Sequence, residues 1–384
     1  MLRLLTPRDI RMAPGLSAEA GGILATLGVS RPLVVVDPVV HKLGLAGPAL
    51  DGLAAAGLSA RIFSAFSPDP TDAEALAAVE MARAAEADCV VGIGGGSAMD
   101  VAKVVALLSR QPGSLRDYSV PRIVDLPALP ILCIPTTAGT GSEVTRAAVI
   151  TDAETHEKLL LLGSALLPAV ALLDVELTLS CPYRVTVDSG LDALSHALEA
   201  LVNRNASPYS DGLATQAMRL IGGSLERAAR DPGNRAARGD MLFGACLAGM
   251  AVSHTSTALI HGMSRPIGAA FHIPHGMSNA MLMPLVTEWS AEAAPKAYAR
   301  AARAMGLAEE SPEALVAALK GLNSRLEVPD LRSLGIAAET FRAAIPEMAR
   351  QSVASGTPAN NLRVADAGEV AGLYHRFLDE SLSA

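Results

Sequence analysis

The sequence predicts an α/β domain with a Rossmann-like, mainly parallel sheet, followed by an all-α domain. Three observations predict it. Apolar, β-branched runs alternate with Ala-rich helical patterns through the first half, that alternation stops near Leu179, and a glycine-rich and a hydroxyl-rich loop each follow one of the strand-like runs. Strands alternating with helices make a parallel sheet covered on both faces.

The strand-like runs are Pro32–Val36 (PLVVV), Ala60–Phe63, Cys89–Ile93, Ile131–Ile134 and Val170–Leu173. Helical patterns lie between them, as at Asp72–Glu86 and Ser97–Ser109. Beyond Leu179 long helical stretches follow, at Ser189–Val202, Ser210–Arg230 and Arg235–Met250, with no strand pattern. The boundary is set near Thr178–Pro182, giving domains 1–178 and 179–384. There is no internal repeat and no low-complexity tract.

Composition narrows the function classes. The 384 residues are 50% hydrophobic and 18% charged, enough to bury a large core and inconsistent with a disordered chain. Aromatics are 3%, and 31 basic residues face 39 acidic ones for a net charge of −8, so no nucleic-acid partner is expected. Cys89, Cys133, Cys181 and Cys246 form no C-x-x-C, which argues against a disulfide framework and for a reducing, cytoplasmic location. The opening MLRLLTPRD is too short for a signal-peptide core.

Two stretches are apolar enough to mimic membrane spans. Residues 159–173 are interrupted by Gly163 and Pro168; residues 241–264 carry His254, Thr255, Ser256, Thr257 and His261. Both read as protein interior, and no membrane partner is expected. From Met241 to Thr287 the only formal charge is Arg265, so polar residues in this dry stretch need partners.

The run VVGIGGGS (90–97) leaves a strand and enters a helix. Gly94, Gly95 and Gly96 let backbone N–H groups approach a pyrophosphate at the helix N-terminus. The usual dinucleotide fingerprint is incomplete, since Ser97 stands where a third spaced glycine belongs. Asp37, at the end of PLVVVD, suits a ribose 2′-OH and would repel a 2′-phosphate, which favours NAD over NADP. It also reads as a plain helix cap. The second loop, PTTAGTGSEVT (135–145), follows the strand ILCI and supplies Thr136, Thr137, Thr140, Ser142 and Thr145. Two such loops at strand C-terminal ends point to one nucleotide site.

Asp192 and His196 stand four apart beside the apolar stripe Leu191, Leu194, Leu198 and Leu201, so they share a helix face. His261 and His275 bracket the charge-poor stretch. One carboxylate and three imidazoles suit a divalent ion, and this donor set does not choose between Fe²⁺ and Zn²⁺. Asp188 reads as a cap preceding the helix, Glu199 as a solvated or ion-paired face residue, and His254 as a hydrogen-bonded core histidine. His272 is a candidate pocket residue.

These segments resemble the iron-containing (group III) alcohol dehydrogenases, of the dehydroquinate synthase-like fold. The resemblance is carried by GGGSAMDVAK (94–103), PTTAGTGSEVT (135–145), DSGLDALSHALEA (188–200) and HGMSRPIGAAFHIPHGMSNAMLMP (261–284). It implies an N-terminal nucleotide domain, a C-terminal metal domain and catalysis in the cleft between them. It implies metal ligands Asp192, His196, His261 and His275, with Fe²⁺ as the ion. It places NAD on Asp37, Gly94, Gly95, Gly96, Ser97, Thr136, Thr137, Ser142 and Lys158, with Asp100 and Thr140 beside them, and it implies a homodimer or larger homo-oligomer. The expected activity is hydride exchange between NAD and an alcohol or hydroxy acid, giving an aldehyde or ketone. Maleylacetate-reductase-like and hydroxyacid–oxoacid transhydrogenase activities are alternatives, as is a dehydroquinate synthase-like lyase. One position departs from the family: where many members carry a second histidine in H-G-M-x-H, this chain has Arg265. An arginine stays protonated and cannot relay the alcohol proton, so the expectation is that Arg265 either binds a substrate anion or closes a structural ion pair.

Overall fold

The computed structural model describes residues 3–383. The chain divides into two compact units, Met1–Cys181 and Pro182–Ala384.

The first unit is built on a six-stranded sheet. Its strands are β1 (Asp9–Met12), β2 (Pro32–Val36), β3 (Arg61–Phe63), β4 (Cys89–Gly94), β5 (Ile131–Pro135) and, after a hairpin of β6 (Ala147–Thr151) and β7 (Lys158–Leu162), β8 (Val170–Leu173). The order is β1-β8-β5-β4-β2-β3 and every pairing is parallel. Five helices accompany it: α1 (Ala20–Ala25), α2 (Pro38–Lys42), α3 (Gly47–Ala55), α4 (Asp72–Ala84) and α5 (Gly96–Leu108). Leu33, Val35, Val90 and Ile131 enter one core, and Val34, Val36, Val91 and Ile134 enter the other. Strands buried on both faces have no polar side, which is why they read as unbroken apolar runs.

Two features escape that pattern. Strand β1 (DIRM) is half-exposed at the sheet edge, so its residues are mixed and its only guide is parallel pairing with β8. The run 159–173 divides into β7 and β8 at Gly163, whose φ is +156° and where a Cβ would lie 2.2 Å from the Val124 carbonyl oxygen. The β6–β7 pair is antiparallel and stands outside the main sheet.

The second unit is helical among its described residues: α6 (Tyr183–Leu201), α7 (Pro208–Arg230), α8 (Arg235–Thr255), α9 (Leu259–Phe271), α10 (His275–Ala291), α11 (Pro295–Ala304), α12 (Pro312–Arg325), α13 (Ala338–Ala354) and α14 (Ala367–Ser383). Helix α6 starts at Tyr183, earlier than expected, because Pro182 takes the N-cap position. Asp188 is therefore inside the helix and does not cap it; it accepts from Arg184 at 2.5 Å, one turn away. Gly190 lets Leu225 of α7 close in, since a Cβ there would sit 2.3 Å from Leu225 Cδ1. No single described helix is long and apolar enough to cross a membrane, and the apolar stretch 241–264 is broken between α8 and α9, which meet at 102°.

Candidate metal centre

Helix α6 presents Asp192, His196 and Glu199 on one face (i, i+4, i+7). His261 lies in the first turn of α9, and His275 opens α10 behind Pro274. Asp192, His261 and His275 bring ligand atoms within 4.8 Å of one another. All three imidazoles aim at one oxygen: Nε2 of His261, His275 and His196 lie 3.5, 3.6 and 3.9 Å from Asp192 Oδ1. Those spacings are too long for hydrogen bonds and suit donors arranged around a shared ion. His196 stands at the rim of the group, stacked on His261 with centroids 4.6 Å apart, and its Nδ1 is buried without a partner.

The charge of the site favours a cation. Asp192 and Glu199 are 3% and 1% exposed, so two carboxylates share a nearly dry space. Burial alone would raise the Asp192 pKa, yet the surrounding imidazoles hold it well below the ordinary carboxylate range. Burial also disfavours a charged His261, but Glu199 and Asp192 on either side overcome this and raise its pKa. Burial pushes His196 down, leaving that ring neutral with a lone pair for a metal. His275 keeps 45% of its side chain exposed, so the group opens to solvent on that side. The donor set fits a divalent first-row ion.

Two residues of this site were not legible as such in the sequence. Glu199, expected as a solvated or ion-paired face residue, is buried and pairs with His261, accepting three N–H bonds: from His261 Nδ1 at 2.7 Å, Ala258 N at 2.8 Å and His261 N at 3.2 Å. A neutral His261 that donates from Nδ1 keeps Nε2 as its lone-pair atom, so Glu199 sets the tautomer and orientation a ligand needs. Asn279, one turn after His275 on α10, donates Nδ2 to Asp192 Oδ1 at 2.7 Å and lies 3.2 Å from Nε2 of both His261 and His275. Its Oδ1 is buried without a partner. The available signals were spacing: Glu199 is seven past Asp192, and Asn279 four past His275.

Gly276 governs how closely α10 approaches α6. A Cβ there would sit 2.1 Å from the Asp188 carbonyl oxygen and 3.3 Å from Asp192 Cβ. Gly276→Ala should push the first turn of α10 off α6 and draw His275 away from Asp192. We expect a loss of about 1–3 kcal/mol in stability and about tenfold weaker metal binding. Thermal unfolding and metal titration check this; wild-type values in both would contradict it.

His272 ends α9 in the left-handed region (φ 55°), is exposed and does not join the ligand group. His254 is a hydrogen-bonded histidine, its ring 2.7 Å from the Met250 carbonyl and edge-on to Tyr209.

In the first unit the two loops meet on neighbouring strands. Thr136 N donates to Gly94 O at 2.9 Å. A Cβ on Gly96 would lie 2.9 Å from Thr140 Cγ2, and one on Gly94 2.7 Å from Asp37 Cβ. Glycine thus packs Asp37 and both loops together, and no side chain caps the first turn of α5. Asp37 caps α2 through Oδ1, which accepts from Val39 N at 2.8 Å and Val40 N at 3.1 Å.

Several expected cofactor residues are engaged inside the unit. Ser142 Oγ donates to Asp100 Oδ1 at 2.8 Å and accepts from Lys103 Nζ at 2.7 Å. Asp100 Oδ2 accepts from Val149 N at 3.0 Å. These two side chains tie the hydroxyl-rich loop to α5. Lys103 is fully buried and also reaches Thr145 Oγ1 and the Ala147 carbonyl. Burial lowers its pKa even though Asp100 pulls the other way. Ser97 Oγ donates to the Pro68 carbonyl at 2.6 Å, Thr140 Oγ1 accepts from Ser142 N at 3.2 Å, and Lys158 Nζ bonds Thr151 Oγ1 at 2.8 Å and pairs with Asp69.

Comparison with known proteins agrees with this picture. The family described as iron-containing alcohol dehydrogenase matches residues 7–175, and its C-terminal family, the Fe-containing alcohol dehydrogenases, matches residues 186–378. The chain belongs to the iron-containing alcohol dehydrogenase family. This dehydrogenase is 41% identical over 288 residues to long-chain-alcohol dehydrogenase 1 of Geobacillus thermodenitrificans, covering 73% of this chain and 71% of that one. A crystal structure of 1,3-propanediol oxidoreductase superposes with TM-score 0.93 at 32% identity, covering 98% of this chain and 100% of that chain. Sulfoacetaldehyde reductase of Bifidobacterium kashiwanohense, solved with NAD⁺, superposes with TM-score 0.90 at 29% identity over 98% and 99%. The dehydrogenase is thus an NAD-linked, metal-dependent oxidoreductase of alcohols.

Proposed function

We propose that Asp192, His196, His261 and His275 hold one divalent ion, Fe²⁺ by family, and that this site oxidises a small alcohol or reduces the matching aldehyde. The observation that carries the reading is the aim of three imidazole Nε2 atoms at one carboxylate oxygen. A bound ion polarises an alcohol or carbonyl oxygen, and a bound nicotinamide exchanges the hydride. The chain's own residues do the rest. Glu199 orients His261. Gly94, Gly95, Gly96 and the open first turn of α5 receive the pyrophosphate, with Ser97, Thr136, Thr137 and Thr140 along the two loops. Asp37 has Oδ2 left for a ribose hydroxyl, which supports NAD over NADP. Lys158 lies outside both loops and is assigned to the nicotinamide side by family pattern. Arg265 keeps its proton, so the alcohol proton leaves through water or the ribose hydroxyls. The four cysteines form no disulfide, which supports a reducing, cytoplasmic location. We assign a homodimer as the assembly on the general preference for two-fold symmetry.

The test is an NAD⁺/NADH-coupled screen of alcohols, diols, hydroxy acids and aldehydes after loading with Fe²⁺ or Zn²⁺. The expected result is turnover that chelation abolishes and metal restores. Absence of turnover on every substrate, or full activity after exhaustive chelation, would overturn the reading. The second outcome would favour a metal-independent reductase.

A further inference from the structure

Arg265 sits on α9 four residues after His261, so the two share a face one turn apart. Its side chain is partly buried. A guanidinium offers five N–H donors, yet this one makes a single long hydrogen bond, 3.4 Å to Thr257 Oγ1, and closes no ion pair among the described residues. Other arginines of the unit are anchored: Arg184 on Asp188 at 2.5 Å and Arg363 on Glu292 at 2.7 Å. Burial lowers the Arg265 pKa, while Glu199 and Asp192 act to raise it.

Charge balance sharpens the point. A dication in the ligand set is offset by Asp192 and Glu199, which leaves the guanidinium charge unmatched. A partly buried cation of this kind, with idle donors, is built for a planar or tetrahedral oxoanion. It does not close a structural ion pair.

We propose that Arg265 receives the anionic end of the substrate, a carboxylate or sulfonate, and makes the enzyme selective for short ω-hydroxy acids and their aldehydes. Four residues, about 6 Å of axial rise, separate Arg265 from His261 along α9. A short substrate would bridge two such neighbouring side chains. Arg265 exchanges no proton; the substrate carbon gives a hydride to NAD⁺ and its hydroxyl loses one proton, as for any alcohol. The proposal names the substrate class of the site proposed above and rests on that reading.

Calorimetric titration of the metal-loaded protein with butanoate, propanesulfonate and 1-butanol tests it directly. Wild type should bind the anions at least about tenfold tighter than the alcohol. Arg265→Met should lose that preference, and Arg265→Lys should recover part of it, since an ammonium keeps the charge without the fork. The two anions separate a carboxylate site from a sulfonate site. In turnover, the ratio of kcat/KM for 4-hydroxybutanoate to that for 1-butanol should fall about a hundredfold in Arg265→Met. Undiminished anion binding in a folded Arg265→Met, or an unchanged ratio, would overturn the proposal. If Arg265→Met fails to fold, Arg265→Lys carries the same comparison, and anion binding equal to wild type with an unchanged ratio counts against it. Absence of NAD-linked turnover by wild type would count against the dehydrogenase site instead, while the calorimetry still decides the role of Arg265.

Discussion

Asp192→Ala should empty the metal site and abolish most activity. Asp192 is the one acidic member of the proposed ligand set and the point at which three imidazoles aim. Removing it leaves neutral donors whose nearest carboxylate, Glu199, already accepts from His261 and Ala258. The loss of an ion that stabilises charge on the substrate oxygen is worth several kcal/mol, a fall of roughly 10³–10⁴ in kcat/KM. Bound metal should drop below about a tenth of the wild-type content at micromolar protein. The folded structure should survive, because the change also removes a buried charge, although Asn279 Nδ2 loses its shortest partner at 2.7 Å. Elemental analysis, circular dichroism and steady-state kinetics together check this. Wild-type metal content in Asp192→Ala would show that the ion sits elsewhere.

Glu199→Gln and Glu199→Ala should weaken metal retention without touching a ligand. Glu199 spans two helices: it leaves α6 and accepts at the start of α9, from Ala258 N and from both nitrogens of His261 that face it. Loss of such an outer partner typically costs 10–100-fold in metal affinity. Alanine also strands buried N–H groups, at roughly 1–3 kcal/mol for each, so it should lower the melting temperature more than glutamine does. The decisive readout is the rate of metal loss to a chelator, which a merely structural role would leave unchanged in folded Glu199→Gln. Equal rates in wild type and Glu199→Gln would remove Glu199 from the centre. Aspartate at this position keeps the charge but shortens the reach, and partial rescue is expected.

Much of this architecture was legible because its signals are local. Strands buried on both faces announce themselves as PLVVV or ILCI, and a loop of three glycines before a helix has few other readings. Asp192 and His196 were legible because four residues on a helix is one turn. What the sequence hid depends on distant chain. A single glutamate near the end of α6 reads as solvated or ion-paired, and only the arrival of α9 shows that its partner is the buried His261. Asp188 reads as a cap only for a helix that begins after it, and α6 starts further upstream, behind Pro182. Asp100 and Ser142 read as separate donors in sequence, and their mutual hydrogen bond needs two segments distant along the chain. Lys103 is itself a clue in the first unit, an ammonium in the apolar stretch VAKVVALL.

That ammonium has a thermodynamic consequence. Lys103 and Asp100, both on α5, pin Ser142, Thr145 and the backbone at Ala147 and Val149 before any nucleotide arrives. Immobilising a side chain or loop during association costs roughly 0.5–1.5 kcal/mol each time. Here that ordering is completed when the chain folds, so this loop carries less of that cost into any later association.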